Sequence, residues 1–280
     1  MRTQFNADDG ERLYVYVAGE GPPVVMLHGW TASHLEWSTI LHTLSESHRV
    51  YRWDARGHGG HPLARDTPPT VERMARDLEN LLDHCRLDAI TAVGHSMGAL
   101  TLWEYIRGHG TGRLARACFI DQSPRLVTDH DWRLGIYGNF DREQSRRFIA
   151  ELRQDFAEAV LRLSAHGLNG RARQKYEENA RGWRKSRDAL RALDPAPLIA
   201  TWESLTAADY RDVLERIDVP TLLVFGAQSN FYRLETAEYL RDRIRGSELR
   251  VYEGTDHSPH QWQRERFARE LLEFMDGGAR

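Results

Sequence analysis

The sequence predicts an α/β fold in which a mostly parallel sheet lies between helices and carries one large helical insertion. Three observations point to it. Short β-branched or apolar runs alternate with longer amphipathic stretches over residues 24–120 and again over 217–280, the pattern of strands joined by crossover helices. The pentapeptide Gly94-His95-Ser96-Met97-Gly98 stands between an apolar run and a helical one. Between residues 123 and 216 the strand-like runs vanish, and charged, tryptophan-containing helical segments replace them.

In chain order, Asp9-Gly10 supplies turn chemistry between strands at 3–7 and 13–18, an opening hairpin. Gly19 to Pro23 break the chain before Val24-Val25-Met26-Leu27, short enough for a buried strand. A helix over 35–47, a strand over 50–53 and a helix over 71–85 with Thr70 as its N-cap follow. The strand 90–93 leads into the Gly94–Gly98 turn and a helix over 99–107 that Gly108 ends, and the strand 117–120 stops at Asp121. Beyond the insertion come strands at 221–225 and 249–252, a helix over 234–245 between them, and a last amphipathic helix over 264–275.

A chain of 280 residues suits one core domain, 1–122 with 217–280, bearing a helical cap over 123–216. Hydrophobic residues at 41%, charged ones at 28% and a formal net charge of -3 point away from a polyanionic partner such as nucleic acid. The basic side chains are nearly all arginine, with lysine only at Lys175 and Lys185, which reads as a compositional bias rather than an anion-binding patch. Cys85 and Cys118 lack metal or redox spacing and are expected as reduced thiols. Met1 to Gly10 are polar, and no stretch approaches the roughly 20 apolar residues of a membrane span. The expectation is a cytoplasmic protein acting on a small molecule, without a membrane partner and with a homodimer left open.

Ser96 on a strand-to-helix turn is forced into strained geometry that lifts its hydroxyl above the sheet, and glycines at 94 and 98 remove Cβ atoms that would collide with neighbouring chain. The bare pentapeptide also arises by chance, so the flanking strand and helix carry the assignment. A serine is a weak nucleophile until a base takes its proton. His257, in the loop after the last strand, can reach back over the sheet, whereas His260 is expected at the pocket rim. In His28-Gly29-Trp30 the backbone matters more than the imidazole, because the Trp30 amide can hold an oxyanion together with that of Met97. His28 is expected to be structural, and Asp54 and His58 to hold a tight turn.

With these pieces placed, the sequence resembles the α/β-hydrolase superfamily, through His28-Gly29-Trp30, Asp54 to Gly59, Gly94 to Gly98 and His257 to Pro259 in the family's order. The first of these and Tyr105 to Ile120 look like bacterial cofactor-free haloperoxidases and aryl esterases, which also act as ester hydrolases and perhydrolases. The resemblance implies the α/β-hydrolase fold, a mostly parallel eight-stranded sheet with an inserted cap, and a triad needing no cofactor or metal. It departs from the family at the acid. The turn after the strand 221–225 carries Ser229 where an Asp is usual. Asp121, ending the previous strand, is the expected replacement, with Asn230 or water orienting the imidazole as the fallback. Trp132, Tyr137, Phe140, Trp183 and Trp202 are available to line an apolar pocket, although aromatic residues in helices more often pack their own core. The implied reaction is hydrolysis of an ester or lactone. Perhydrolysis and carbon–carbon bond hydrolysis are rivals on the same scaffold, and a ligand-binding receptor is the reading from outside enzymes.

Overall fold

The computed structural model describes residues 2–277. Eight strands, β1 (Arg2–Asn6), β2 (Arg12–Ala18), β3 (Pro23–Leu27), β4 (Arg49–Asp54), β5 (Ile90–His95), β6 (Leu114–Ile120), β7 (Thr221–Gly226) and β8 (Glu248–Tyr252), form one sheet. Their order is β1-β2-β4-β3-β5-β6-β7-β8. The hairpin β1–β2 and the pair β2–β4 are antiparallel, and every other pair is parallel. The central parallel strands are covered on both faces, which is why they read as unbroken apolar runs.

The period of two divides the core. Val25 and Leu27 face the helices Val71–Cys85 and Met97–His109, while Val24 and Met26 face Trp37 and the helix Arg264–Met275. Because β3 lies between β4 and β5, the winding direction reverses there, and the carboxyl ends of β3, β5 and β6 open onto one crevice.

Between β6 and β7 the described residues form only helices and loops, the main helices being Arg142–Gln154, Phe156–Ala165, Gly170–Glu177, Arg181–Arg191 and Pro195–Ala207. Cys85 and Cys118 are free thiols. Among the described residues no helix is long and apolar enough to cross a membrane.

Two expected elements differ. The helix over 35–47 is broken into a 3-10 turn, His34–Trp37, and a short helix, Leu41–Ser45. The Glu36 carboxylate accepts from the Gly29 amide at 2.8 Å and the Trp37 ring is buried, so tertiary contacts hold the first turn out of line with the second. The helix after Ser96 passes through Gly108 and ends at His109, because it is Gly110, at φ 73, that takes the positive φ closing the helix.

Buried histidines make the fold acid-sensitive. Burial, and after it the neighbouring His28, holds His58 down at about 3, and burial, then His95, holds His260 at about 4. Both have an ordinary value of 6.5, so below that pH the unfolded chain binds protons that the folded chain refuses. Their contribution to stability is complete above pH 6.5 and is lost as the solution is acidified. The urea midpoint should therefore fall between pH 6.5 and about 4.5, above the range where most carboxylates titrate. His58→Asn should flatten that slope; an unchanged slope would remove His58 from the account.

Candidate active site

Ser96 closes β5 and caps the helix Met97–His109 with φ 52 and ψ -116. That conformation is sterically unfavourable for a residue bearing a Cβ, and the packing around it enforces it. A Cβ on Gly98 would stand 2.2 Å from the Leu27 carbonyl oxygen, and one on Gly94 would stand 2.6 Å from the Gly98 carbonyl carbon. The two glycines therefore let β5, the turn and β3 approach closely enough to expose the serine at the crevice.

Asp121 ends β6 at φ 43 and is fully buried. Its Oδ2 accepts from the Gly226 amide at 2.8 Å, and its Oδ1 accepts from the Ser229 hydroxyl at 2.7 Å. The same Oδ1 lies 2.9 Å from Nδ1 of His257. A carboxylate at that nitrogen keeps the ring proton on Nδ1 and leaves Nε2 as the basic atom of the neutral imidazole. Ser229, at the turn position where the family usually has an acid, thus donates to the acid one strand away. Asn230 does not meet the imidazole; its Oδ1 accepts from the His257 backbone amide at 3.3 Å.

Ser96 and His257 line one cavity of about 210 Å³. Trp30 and Met97 border it, and among the described residues neither backbone amide donates to another protein atom. The Gly29 carbonyl oxygen is engaged by His28 Nδ1 at 2.8 Å and by the Ala32 amide at 3.2 Å. In a planar trans peptide the N–H points opposite to the C=O, so these two contacts also fix the direction of the Trp30 amide. Met97 opens the helix, where backbone N–H groups have no intrahelical acceptor.

Apolar walls come from Leu126, Ile136, Val160, Leu163, Trp202 and Phe231. Of the five aromatic residues expected at the pocket, only Trp202 reaches it. Trp132 is buried elsewhere, its indole N–H donating to the Arg125 carbonyl at 2.9 Å and its ring edge-on to Tyr239. Tyr137 sits behind the wall, its hydroxyl donating to the Leu163 carbonyl and its ring near Phe140 and Phe231. Phe140, in the loop before Arg142–Gln154, packs against Phe148 of that helix, and Trp183 of Arg181–Arg191 packs against Tyr176 of Gly170–Glu177, so these rings pack within the insertion. Trp30 ties the crevice to the helix Pro195–Ala207 through its indole N–H and the Leu198 carbonyl, 2.9 Å apart.

Residues 22–263 match the α/β-hydrolase fold family. The chain belongs to that family. A non-heme chloroperoxidase of Kitasatospora aureofaciens is 28% identical over 96% of this chain and 97% of its own length. A pimeloyl-[acyl-carrier protein] methyl ester esterase of Vibrio cholerae is 26% identical over 94% of this chain and 97% of its own. An esterase from Exiguobacterium antarcticum superposes with a TM-score of 0.84 at 24% identity, over 99% of this chain and all of that one.

One cluster in this α/β hydrolase escaped the sequence reading. His260 is not at the rim: it is 1% exposed, and its Nε2 lies 2.9 Å from Oε1 of Glu36. His95, inside the pentapeptide, brings Nδ1 to 2.5 Å from the same oxygen, off the line of the N–H, while its Nε2 lies 2.9 Å from the His257 carbonyl oxygen. Glu36 sits in a stretch that reads as a plain amphipathic helix, so nothing in its spacing marked it. His28 is structural as expected, its Nε2 accepting from the Ala55 amide at 3.0 Å. Asp54 accepts from His34 and His61 and holds its turn from outside the local segment.

Proposed function

We propose that this α/β hydrolase is a cofactor-free serine esterase or lactonase acting on a small to medium apolar or aromatic substrate. Ser96 attacks the acyl carbon and His257 Nε2 takes the hydroxyl proton. Asp121 steadies the imidazolium that forms, and the Trp30 and Met97 amides hold the oxyanion. The alcohol leaves with the proton from His257; water, deprotonated by the same imidazole, then releases the acid. The observation that carries this reading is the contact of 2.9 Å between Asp121 and His257 Nδ1 beside a strained serine in the same cavity.

The size of the cavity supports the substrate class. About 150 Å³ of apolar space holds a benzene molecule, so 210 Å³ suits a single aromatic ring or a short acyl chain beside the ester. Helices of residues 123–216 act as the lid, with Trp202 and Leu205 turned to the substrate. The chloroperoxidase relative favours a second reading, in which hydrogen peroxide replaces water in the deacylation step and a peracid is released.

A fluorophosphonate probe should label the protein stoichiometrically, and Ser96→Ala should abolish both the labelling and the hydrolysis of 4-nitrophenyl acetate. Labelling that survives in Ser96→Ala, or none in the native protein, would sink the acyl-enzyme mechanism. Product analysis with added peroxide separates the two readings, because only the second yields peracid at a rate comparable to acid.

A further inference from the structure

We propose that Glu36, His95 and His260 are positioning residues, a buried carboxylate with an imidazolium and a neutral imidazole that locks the oxyanion loop to the loop of the base. This rests on the triad reading above and extends it to residues that touch no substrate.

The three side chains are almost wholly buried, and each contact ties a different part of the site. Oε2 of Glu36 accepts from the Gly29 amide at 2.8 Å, one residue before the Trp30 amide. Oε1 meets His260 Nε2 at 2.9 Å, three residues beyond the base, and His95 Nδ1 at 2.5 Å, next to the nucleophile. His95 Nε2 then reaches the His257 carbonyl oxygen at 2.9 Å, while Asn230 holds the amide of the same residue at 3.3 Å. The backbone of His257 is clamped on both sides, and one side of the clamp runs through Glu36 to the oxyanion loop.

The protonation states follow from the atoms each nitrogen faces. Nε2 of His95 faces a carbonyl oxygen, which only accepts, so it carries a proton. Its Nδ1 stands 2.5 Å from a carboxylate oxygen, off the line that a hydrogen bond needs, an approach that two lone pairs repel and opposite charges favour. The Gly29 amide and His260 Nε2 both donate to Glu36, favouring the ionised acid and hence the imidazolium at His95. Nδ1 of His260 has no partner, which leaves that ring neutral with its proton on Nε2.

The charged and titratable groups around the cluster agree. Burial pushes Glu36 up, but His95 and His260 outweigh it and hold its carboxyl well below the usual range. Burial pushes His95 down, but Glu36, the His257 carbonyl and Asp121 raise it. His257 faces both rings, at 4.8 Å from His95, and the other neighbours of His260 are the uncharged rings of Trp37 and Phe267.

Two imidazoles and a carboxylate are also a donor set for a divalent metal. Ligands at about 2 Å from a tetrahedral zinc stand about 3.3 Å apart, and the 2.5 Å between His95 Nδ1 and Glu36 leaves no place for an ion between them. The separation is that of an ion pair.

A lock of this kind acts on the transition state, because the oxyanion amide and the base are used fully only there. Glu36→Gln should therefore lower kcat for 4-nitrophenyl acetate about tenfold or more and leave KM within about twofold. His260→Gln, which still donates to Glu36, should stay within about threefold of native kcat, while His260→Phe should fall about tenfold. Imidazole nitrogen NMR at pH 8 should show His95 protonated at both nitrogens in the native protein and at one in Glu36→Gln.

A singly protonated His95 in the native protein overturns the proposal. So does a folded Glu36→Gln with native kcat, or His260→Gln and His260→Phe falling equally. If Glu36→Gln does not fold, the His260 pair and the native NMR spectrum decide. Ser96→Ala assayed alongside separates the two failures. Activity lost there but kept in Glu36→Gln removes only the lock, whereas activity kept in Ser96→Ala removes the triad reading itself.

Discussion

Asp121→Asn should lower kcat for ester hydrolysis by about 10⁴-fold while leaving KM within a few-fold, because a carboxamide offers His257 Nδ1 an N–H where the carboxylate offered an acceptor. The ring is then pressed toward the tautomer whose proton sits on Nε2, and the serine loses its base. Circular dichroism should show an intact fold, since the asparagine oxygen can still accept from the Gly226 amide and the Ser229 hydroxyl can rotate to donate or accept. The same contacts suggest a rescue. Ser229 already donates to Asp121 Oδ1 at 2.7 Å, the oxygen that faces the imidazole. Asp121→Asn combined with Ser229→Asp should therefore recover about a hundredfold of the loss, as the new carboxylate comes within reach of Nδ1. Stopped-flow acylation with 4-nitrophenyl acetate measures both steps. Near-native acylation in a folded Asp121→Asn would take the residue out of the mechanism.

The second large effect is on stability. Gly98→Ala places a methyl group 2.2 Å from the Leu27 carbonyl oxygen and 2.7 Å from its carbon, both rigid backbone of β3. No rotamer relieves that overlap, so either the helix lifts from the sheet or the turn at Ser96 opens. Overpacking of side chains costs about 1–3 kcal/mol, and a clash with a central strand should exceed it, at about 3 kcal/mol or more. Urea denaturation would show a midpoint lowered accordingly, or no folded protein. Gly108→Ala, in the same helix, is the internal control: a Cβ there meets nothing within 4 Å. That change should stabilise by about 0.5 kcal/mol through helix propensity. If both substitutions behave alike, close packing at Gly98 is not what positions the serine.

Much of the fold was legible because its signals are local. Thr70 caps its helix on the Arg73 amide at 3.2 Å as its position implied, and the helix 264–275 begins and ends where its apolar spacing does. Strands buried on both faces announced themselves as apolar runs. The helix near Leu35 misled because the pull on Glu36 comes from Gly29, His95 and His260, groups distant along the chain. The same blindness placed His260 at the rim. The aromatic residues of 123–216 were misjudged for another reason: composition says that rings are present, and only packing says which of them turn inward. The expectation at Asp121 rested on a gap, the missing carboxylate at Ser229, and on β6 lying beside β7; the structure brings that side chain to His257 Nδ1.

In the proposed triad, seating the carboxylate directly after β6 also redistributes what each segment is free to become. The turn after β7 would then keep only supporting contacts, Ser229 to Asp121 and Asn230 to the His257 amide, and Phe231 and Tyr232, which line the cavity, would be left to shape selectivity. Positions 231 and 232 could change and retune acceptance of one proposed ester over another, whereas a change at Asn230 would loosen the His257 backbone. Gln122 and Ser123, directly after Asp121, have no such liberty, because any shift in the root of the inserted helices drags the carboxylate with it.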